Sequence, residues 1–313
     1  MSARLLLLCP GQGNQHLHMF DLARSCPAGA ALLDRLAPDL PPLDEARLFA
    51  NASAQPLIVA ATLAVWEALR DDDRAHVSAG PASAIAPALV AGYSIGELTA
   101  YAVAGALSPQ DAVRLATRRA ALMNGCRHTH PEQSLVALSG LVLPQIARIA
   151  AAHAFSISIE TGDDTCIAGG PAPALAALQT EIAAAGGRSQ QLPVEVASHT
   201  SYMAEAVSPF ADALKATAFQ PQQAPVVAGI DAANVMEKSR AVSTLSRQLA
   251  EPIRWLACMD AFAEAGITAA LELGPGGALA RMMQTCHPHI QSRSVADFRT
   301  LDGVRKWLDR AME

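Results

Sequence analysis

Aromatic residues are scarce in this 313-residue chain, at 4 %, and charged residues make up only 17 %. Hydrophobic residues reach 51 % and alanine is abundant, which excludes a disordered chain and points to helix-rich packing through small contacts. Positive charge is in deficit. The net charge is −6, and no Lys/Arg-rich stripe offers a nucleic-acid surface. No run of 18 or more apolar residues occurs, so no membrane span is expected. Leu5–Leu8 is too short for the apolar core of a signal peptide, and Gly11-Gln12-Gly13 follows at once; a buried strand is the reading. Cys9, Cys26, Cys126, Cys166, Cys258 and Cys286 are scattered, without a Cys-x-x-Cys pair. Neither a zinc site nor a disulfide framework is expected, and the chain reads as reduced and cytoplasmic.

What is present is an alternation of short apolar runs with amphipathic segments, the wiring of an α/β fold. Buried strands are expected at Leu5–Cys9, Ala88–Gly92, Val226–Ile230, Ala269–Leu273 and Ile290–Val295. Helices are expected at about Pro56–Arg70, Glu97–Ala104, Pro109–Met123, Ser201–Ala216, Thr244–Ala250 and Arg254–Ala265. Between Ser134 and Pro193 the rhythm changes. Strand Leu135–Ser139, helix Pro144–Ala152, strands Phe155–Ile159 and Thr165–Ala168, helix Ala174–Ala185 and strand Ser189–Pro193 follow one another. That β-α-β-β-α-β order is the ferredoxin-like arrangement. A small subdomain over residues 132–193 is therefore expected, inserted into an α/β core built from residues 1–131 and 194–313.

Candidate chemistry concentrates in Gly92-Tyr93-Ser94-Ile95-Gly96-Glu97. A strand precedes it and a helix follows, the setting of a nucleophile elbow. The tight turn demands small flanking residues, and the serine hydroxyl projects beside the free N–H groups of a helix start. A serine nucleophile needs a base of near-neutral pKa. His199, in Val196-Ala197-Ser198-His199-Thr200, lies between an apolar stretch and a helix and can supply it; a surface histidine is the other reading. His128, His130, His287 and His289 lie in polar, turn-like stretches and read as solvated. Gly11-Gln12-Gly13 reads either as half of an oxyanion hole or as an ordinary strand-to-helix turn, and the Ile95 N–H would be the second donor. The third glycine of a dinucleotide fingerprint is missing. Arg118 and Arg119 sit mid-helix. Arg119 borders an apolar face of Val113, Ala116, Ala120 and Met123, where its guanidinium either clamps a carboxylate or is merely exposed. Asp71-Asp72-Asp73 reads as a solvated helix end.

Taken in order, these motifs resemble the malonyl-CoA:acyl-carrier-protein transacylase family. Pro10-Gly11-Gln12-Gly13-Asn14-Gln15 is similar to its N-terminal Pro-Gly-Gln-Gly-x-Gln, and Gly92–Glu97 to its Gly-His-Ser-x-Gly-Glu elbow. Arg119, 25 positions after Ser94, matches the arginine that binds malonate. Ser198-His199 with Met203, Arg247-Gln248-Leu249 with Pro252 and Trp255, and Glu272-Leu273-Gly274-Pro275-Gly276 match its remaining segments. The resemblance implies an α/β-hydrolase-like core with a parallel sheet and a ferredoxin-like insert. It implies that Ser94 is acylated, His199 is its base, and the Gln12 and Ile95 N–H groups hold the oxyanion. The Gln248 carbonyl would orient the histidine in place of an aspartate, and Arg119 would grip the free malonyl carboxylate.

Two departures stand out. Tyr93 occupies the usual histidine position, and Glu160–Asp164 lacks the usual asparagine-rich pattern. Gly-Tyr-Ser-x-Gly-Glu-Leu is similar to the epsilon subunit of biotin-independent malonate decarboxylase. So are Ala54–Ile58, Val196–Thr200, Ala228–Asp231 and the tail Ser292–Val304. The expectation is transfer of malonyl from malonyl-CoA through malonyl-Ser94 to the prosthetic-group thiol of an acyl carrier protein, charging malonate decarboxylase. The same transacylase in fatty-acid or polyketide synthesis is the alternative. A serine esterase is less favoured, because no acid completes a Ser…Asp…His order and Arg119 would have no use there. A docking subunit with a dead site conflicts with retention of every site residue. No metal and no permanently bound cofactor are implied; malonyl-CoA and CoA are substrate and product, and the carrier bears a phosphopantetheine-type group. The expected partners are the carrier and other malonate decarboxylase subunits, with neither nucleic acid nor membrane. Arg281, Arg293, Arg299, Arg305 and Lys306 read either as a basic patch for an acidic carrier or as solvated surface.

Overall fold

The computed structural model describes residues 3–71, 85–130 and 132–313; Asp72 and Asp73 of the acidic run lie outside them. The chain opens with β1 (Leu5–Cys9), α1 (Asp21–Arg24), α2 (Pro27–Leu36), α3 (Asn51–Arg70) and β2 (Leu89–Gly92). Two helices follow, α4 (Ile95–Val103) and α5 (Pro109–Gly125). Next come β3 (Gln133–Ser139), α6 (Leu143–Ala152), β4 (Ser156–Glu160), β5 (Thr165–Pro171), α7 (Leu175–Ala184) and β6 (Arg188–Gln191). The chain then runs α8 (Ala204–Ala216), β7 (Val226–Val227), β8 (Asn234–Val235), α9 (Lys238–Arg247), β9 (Ile253–Arg254) and α10 (Trp255–Glu264). It closes with β10 (Ala269–Glu272), α11 (Ala278–Cys286), β11 (Gln291–Ser294) and α12 (Leu301–Ala311).

The main sheet has six strands in the order β11-β10-β1-β2-β7-β8. Its neighbours are parallel except the edge pair β7/β8. Parallel sheets are covered on both faces, so β1 reads as an unbroken leucine run rather than an alternating one. The alternation of the strand shows in where each side chain goes. Leu5, Leu7 and Cys9 pack with α3, α4, α5 and α8, while Leu6 and Leu8 pack with α10 and α11. The long helix α3 is apolar enough by length and composition to cross a membrane, with mean hydropathy 1.3, which a count of unbroken apolar residues overlooks. It is instead a core helix, 89 % of that window being buried.

The second sheet runs β6-β3-β5-β4-β9. Its first four strands come from residues 133–191 and pair antiparallel. Helices α6 and α7 cover one face through Ile146, Ile149, Leu178 and Ile182. The fifth strand, β9, arrives from outside that segment and pairs parallel with β4, Ile159 against Ile253.

Differences from the expected elements have local causes. The strand expected at Val226–Ile230 stops at Val227, because Ala232 at φ 57° turns the chain back into β8. The expected helix Thr244–Ala250 begins earlier, at Lys238, and ends at Arg247. Helices α1, α2, α11 and α12 and the two-residue strands β8 and β9 add to the expected set. In α12 the buried residues Leu301, Val304, Trp307, Leu308 and Ala311 recur at helical spacing behind a Thr300 side-chain cap.

Candidate active site

The loop between β2 and α4 places Ser94. Its backbone sits at φ 56°, ψ −117°, a conformation held by the packing of the turn. A Cβ on Gly92 would stand 2.0 Å from the Gly96 carbonyl carbon, and one on Gly96 would stand 2.1 Å from the Cys9 oxygen. Only glycine fits either position. Serine is a favoured helix cap, yet Ser94 makes no capping bond to α4. Its Oγ instead lies 2.8 Å from Nε2 of His199.

His199 is fully buried, also with positive φ (62°), and its N–H donates to the Leu249 carbonyl at 2.8 Å. Ring Nδ1 lies 2.5 Å from the Gln248 carbonyl oxygen. A carbonyl only accepts, so Nδ1 carries the proton and Nε2 presents its lone pair to the serine hydroxyl. Burial pushes the imidazole pKa down to about 3, Arg119 adds to this, and the bond to Gln248 opposes it. The ring is therefore neutral at physiological pH. The second sheet supports this loop, since Ser158 of β4 donates to the Ser198 carbonyl at 2.7 Å and Gln133 of β3 accepts from the Ala197 N–H at 2.8 Å.

Arg119 reaches the same point from α5, a helix started by the Ser108 cap and Pro109. It is 2 % exposed, so the exposed reading fails, whereas Arg118 beside it is exposed. Nη1 donates to Gln55 Oε1 at 2.9 Å, and Nη2 lies 3.5 Å from Ser94 Oγ. Burial lowers the guanidinium pKa to about 10, with Glu97 opposing the shift, so the group stays charged at neutral pH. Gln55 carries no role in the sequence reading. It is a fully buried amide within the apolar helix α3, turned by its bond to Asn51 so that its oxygen faces the guanidinium. A polar residue on a fully buried helix face was the available signal.

Ile95 opens α4 directly after Ser94, and Gln12 lies in the loop after β1. A Cβ on Gly11 would meet the Tyr93 oxygen at 2.8 Å, so the loop after β1 lies against the turn. Among the described residues, no hydrogen bond within the chain takes up the N–H of Gln12 or Ile95. Tyr93 stacks edge-on against Trp255, with ring centroids 5.3 Å apart.

Other candidates lie elsewhere. His128, His130 and His289 are exposed, but His287 is half-buried and bonded to Asp260 at 3.1 Å rather than solvated. Of the basic tail, Arg293 pairs with Asp297, Lys306 pairs with Asp302, and Arg305 donates to the Ala68 and Asp71 carbonyls. Three of the five candidate patch residues thus already have partners within the chain.

A serine–histidine pair on a strand-to-helix elbow of a largely parallel sheet defines a serine acyl-transfer enzyme. The chain belongs to the acyl transferase domain family, whose model matches residues 6–299. It is 33 % identical over 309 residues to the malonyl CoA-acyl carrier protein transacylase of Mycobacterium tuberculosis, covering 95 % of this chain and 98 % of that one. It is 28 % identical over 294 residues to the polyketide synthase GfsB of Streptomyces halstedii, covering 91 % of this chain and 5 % of that one. The solved complex PlMCAT:AntF, a type II PKS acyl-carrier protein with its malonyl-transacylase, superposes with a TM-score of 0.85 at 26 % identity. That match covers 97 % of this chain and 99 % of the solved one.

Proposed function

We propose that this acyltransferase takes malonyl from malonyl-CoA onto Ser94 and delivers it to the phosphopantetheine-type thiol of an acyl carrier protein. The observation that carries the reading is a buried, charged Arg119 with Nη2 3.5 Å from the nucleophilic oxygen. A carboxylate two bonds beyond an ester carbonyl on Ser94 falls within its reach, and a buried cation needs such a partner. His199 Nε2 takes the hydroxyl proton as Oγ attacks the thioester. The Gln12 and Ile95 amides hold the oxyanion, and CoA leaves as the thiol with that proton. The carrier thiol then reverses the sequence and frees Ser94. The names of the similar proteins favour a carrier of fatty-acid or polyketide synthesis. The malonate decarboxylase carrier is the second reading. Tyr93 in the usual histidine position and the tail Ser292–Val304 support it.

Intact-mass measurement after mixing with malonyl-CoA should show a malonyl adduct that is absent in Ser94→Ala. Loading of two purified carriers then decides between the readings, one with phosphopantetheine and one with the CoA-like group of the decarboxylase. Release of malonate to water as fast as transfer would overturn both in favour of an esterase.

A further inference from the structure

Glu97 is a carboxylic acid in the first turn of α4, three residues after Ser94, and none of its surface is exposed. Carboxylates near a helix start commonly serve the helix itself. This one turns to other segments. Its Oε2 accepts the Gly229 N–H at 2.8 Å and the side-chain amide of Gln248. Gly229 leaves room for it, since a Cβ there would press on Oε2 at 3.0 Å. Gln248 is the residue that closes α9, and its own carbonyl receives Nδ1 of His199. Carbonyls at a helix end have no donor within the helix. The backbone here is tied to α9 through the Gln248 N–H to Thr244 at 2.9 Å and the Leu249 N–H to Ser246 at 3.2 Å, and the Gln248 side chain adds a second anchor, at Glu97.

We propose that Glu97 is a positioning residue of the acyl-transfer pair. From the helix that carries Ser94 it holds the Gln248 side chain, and so fixes the carbonyl that keeps His199 in its Nδ1–H form. A buried carboxyl is costly to keep, and an apolar residue would pack there at less cost if the fold alone were served. Other charged and titratable groups also face it. Arg119 and Asp231 act on Glu97 through space, and Glu97 acts in turn on Tyr101 and Cys258. Only Gly229 and Gln248 bond to it among the described residues, and its Oε1 is left without a partner there. One oxygen thus does the holding. A glutamine at 97 can supply that oxygen and an alanine cannot.

The inference rests on Ser94 and His199 being the acyl-transfer pair, and its test separates the two. Acylation of Ser94 by malonyl-CoA is timed by quenched-flow mass spectrometry in wild type, Glu97→Ala, Glu97→Gln, Gln248→Ala and the Glu97→Ala/Gln248→Ala double variant. The His199 ring is followed in parallel by 15N NMR of histidine-labelled protein. Glu97→Ala and Gln248→Ala should each slow acylation roughly ten- to hundredfold, the rate equivalent of losing one buried hydrogen bond. KM for malonyl-CoA should stay put. The double variant should be no slower than the singles, Glu97→Gln should recover most of the rate, and the fixed Nδ1–H signal should fade in both alanine variants. Wild-type acylation and an intact Nδ1–H signal in Glu97→Ala would overturn the inference, as would effects that multiply in the double variant. If circular dichroism shows Glu97→Ala unfolded, Gln248→Ala alone decides, and wild-type rate and signal there overturn it. If wild type itself fails to acylate, the proposed function falls, and the NMR arm still decides whether Glu97 holds His199.

Discussion

Replacing Arg119 with alanine should separate malonyl from acetyl transfer. The guanidinium is 2 % exposed, held by Gln55 at 2.9 Å, and stands 3.5 Å from the nucleophile. A carboxylate gripped there by two parallel bonds replaces water with charge-assisted hydrogen bonds of about 1.5–3 kcal/mol each. Two of them make the loss on truncation roughly 3–4 kcal/mol, allowing for overlap between neighbours. At about 1.4 kcal/mol per decade, kcat/KM for malonyl-CoA should fall by about two to three orders of magnitude. Acetyl-CoA has no carboxylate to lose, and in wild type it leaves the buried cation without that partner. Its rate constant should hold steady or rise in the variant. Quenched acylation of Ser94 with each thioester gives the two rate constants directly. An equal fall for both would refute the clamp, because it would mean that Arg119 shapes the site rather than reading the acyl group.

Gly96→Ala drives a Cβ to 2.1 Å from a backbone oxygen of β1, so urea denaturation should show a loss of several kcal/mol or failure to fold. His199 is held far below the usual imidazole range, at about 3, so the deprotonated base persists through pH 6.5. The acylation rate in the free enzyme should stay flat from pH 8 to pH 5, and an acid limb centred near 6.5 would contradict the burial argument. Glu97 is raised from 4.5 to about 8 by burial, with its bonds to Gly229 and Gln248 opposing. A folded-state pKa above the unfolded one gives stability that is complete below 4.5 and drains away as pH rises through 8. Glu97→Gln should therefore gain unfolding free energy relative to wild type between pH 5 and pH 8.5, by on the order of a few kcal/mol, as read by urea denaturation; a constant difference would show an unshifted carboxyl. Gln55→Ala should weaken malonyl transfer less than Arg119→Ala does, since it loosens the guanidinium without removing it.

The glycines at 92 and 96 made the elbow readable, because a strand that must turn within two residues leaves a visible mark on composition. The order of elements between residues 133 and 191 was equally plain, since hydrophobic period switches between two and 3.6 at each boundary. Local pattern made His199 a candidate among nine histidines but left a surface histidine as the other reading. Its distinction is a carbonyl 49 positions away, and that long-range contact has no periodicity. Gln55 and Glu97 were passed over for a related reason. Each is a buried polar residue in a largely apolar helix, and only the fold shows what it faces. The basic tail was left between a carrier patch and solvated surface; the fold gives Arg293, Arg305 and Lys306 partners in their own chain, which no local pattern could show.

Strand β9 bears on protein engineering. Ile253 and Arg254 complete the small sheet, yet they lie between Gln248, which holds His199, and Trp255, which packs on Tyr93. The Arg254 N–H also ties back to the Gly229 carbonyl at 2.7 Å, one residue's backbone away from the Glu97 anchor. A chimera that grafts residues 132–193 from a relative therefore imports four strands and leaves the fifth behind. The seam of such a graft runs through the histidine's own support, so β9 and its flanks belong in the exchanged piece.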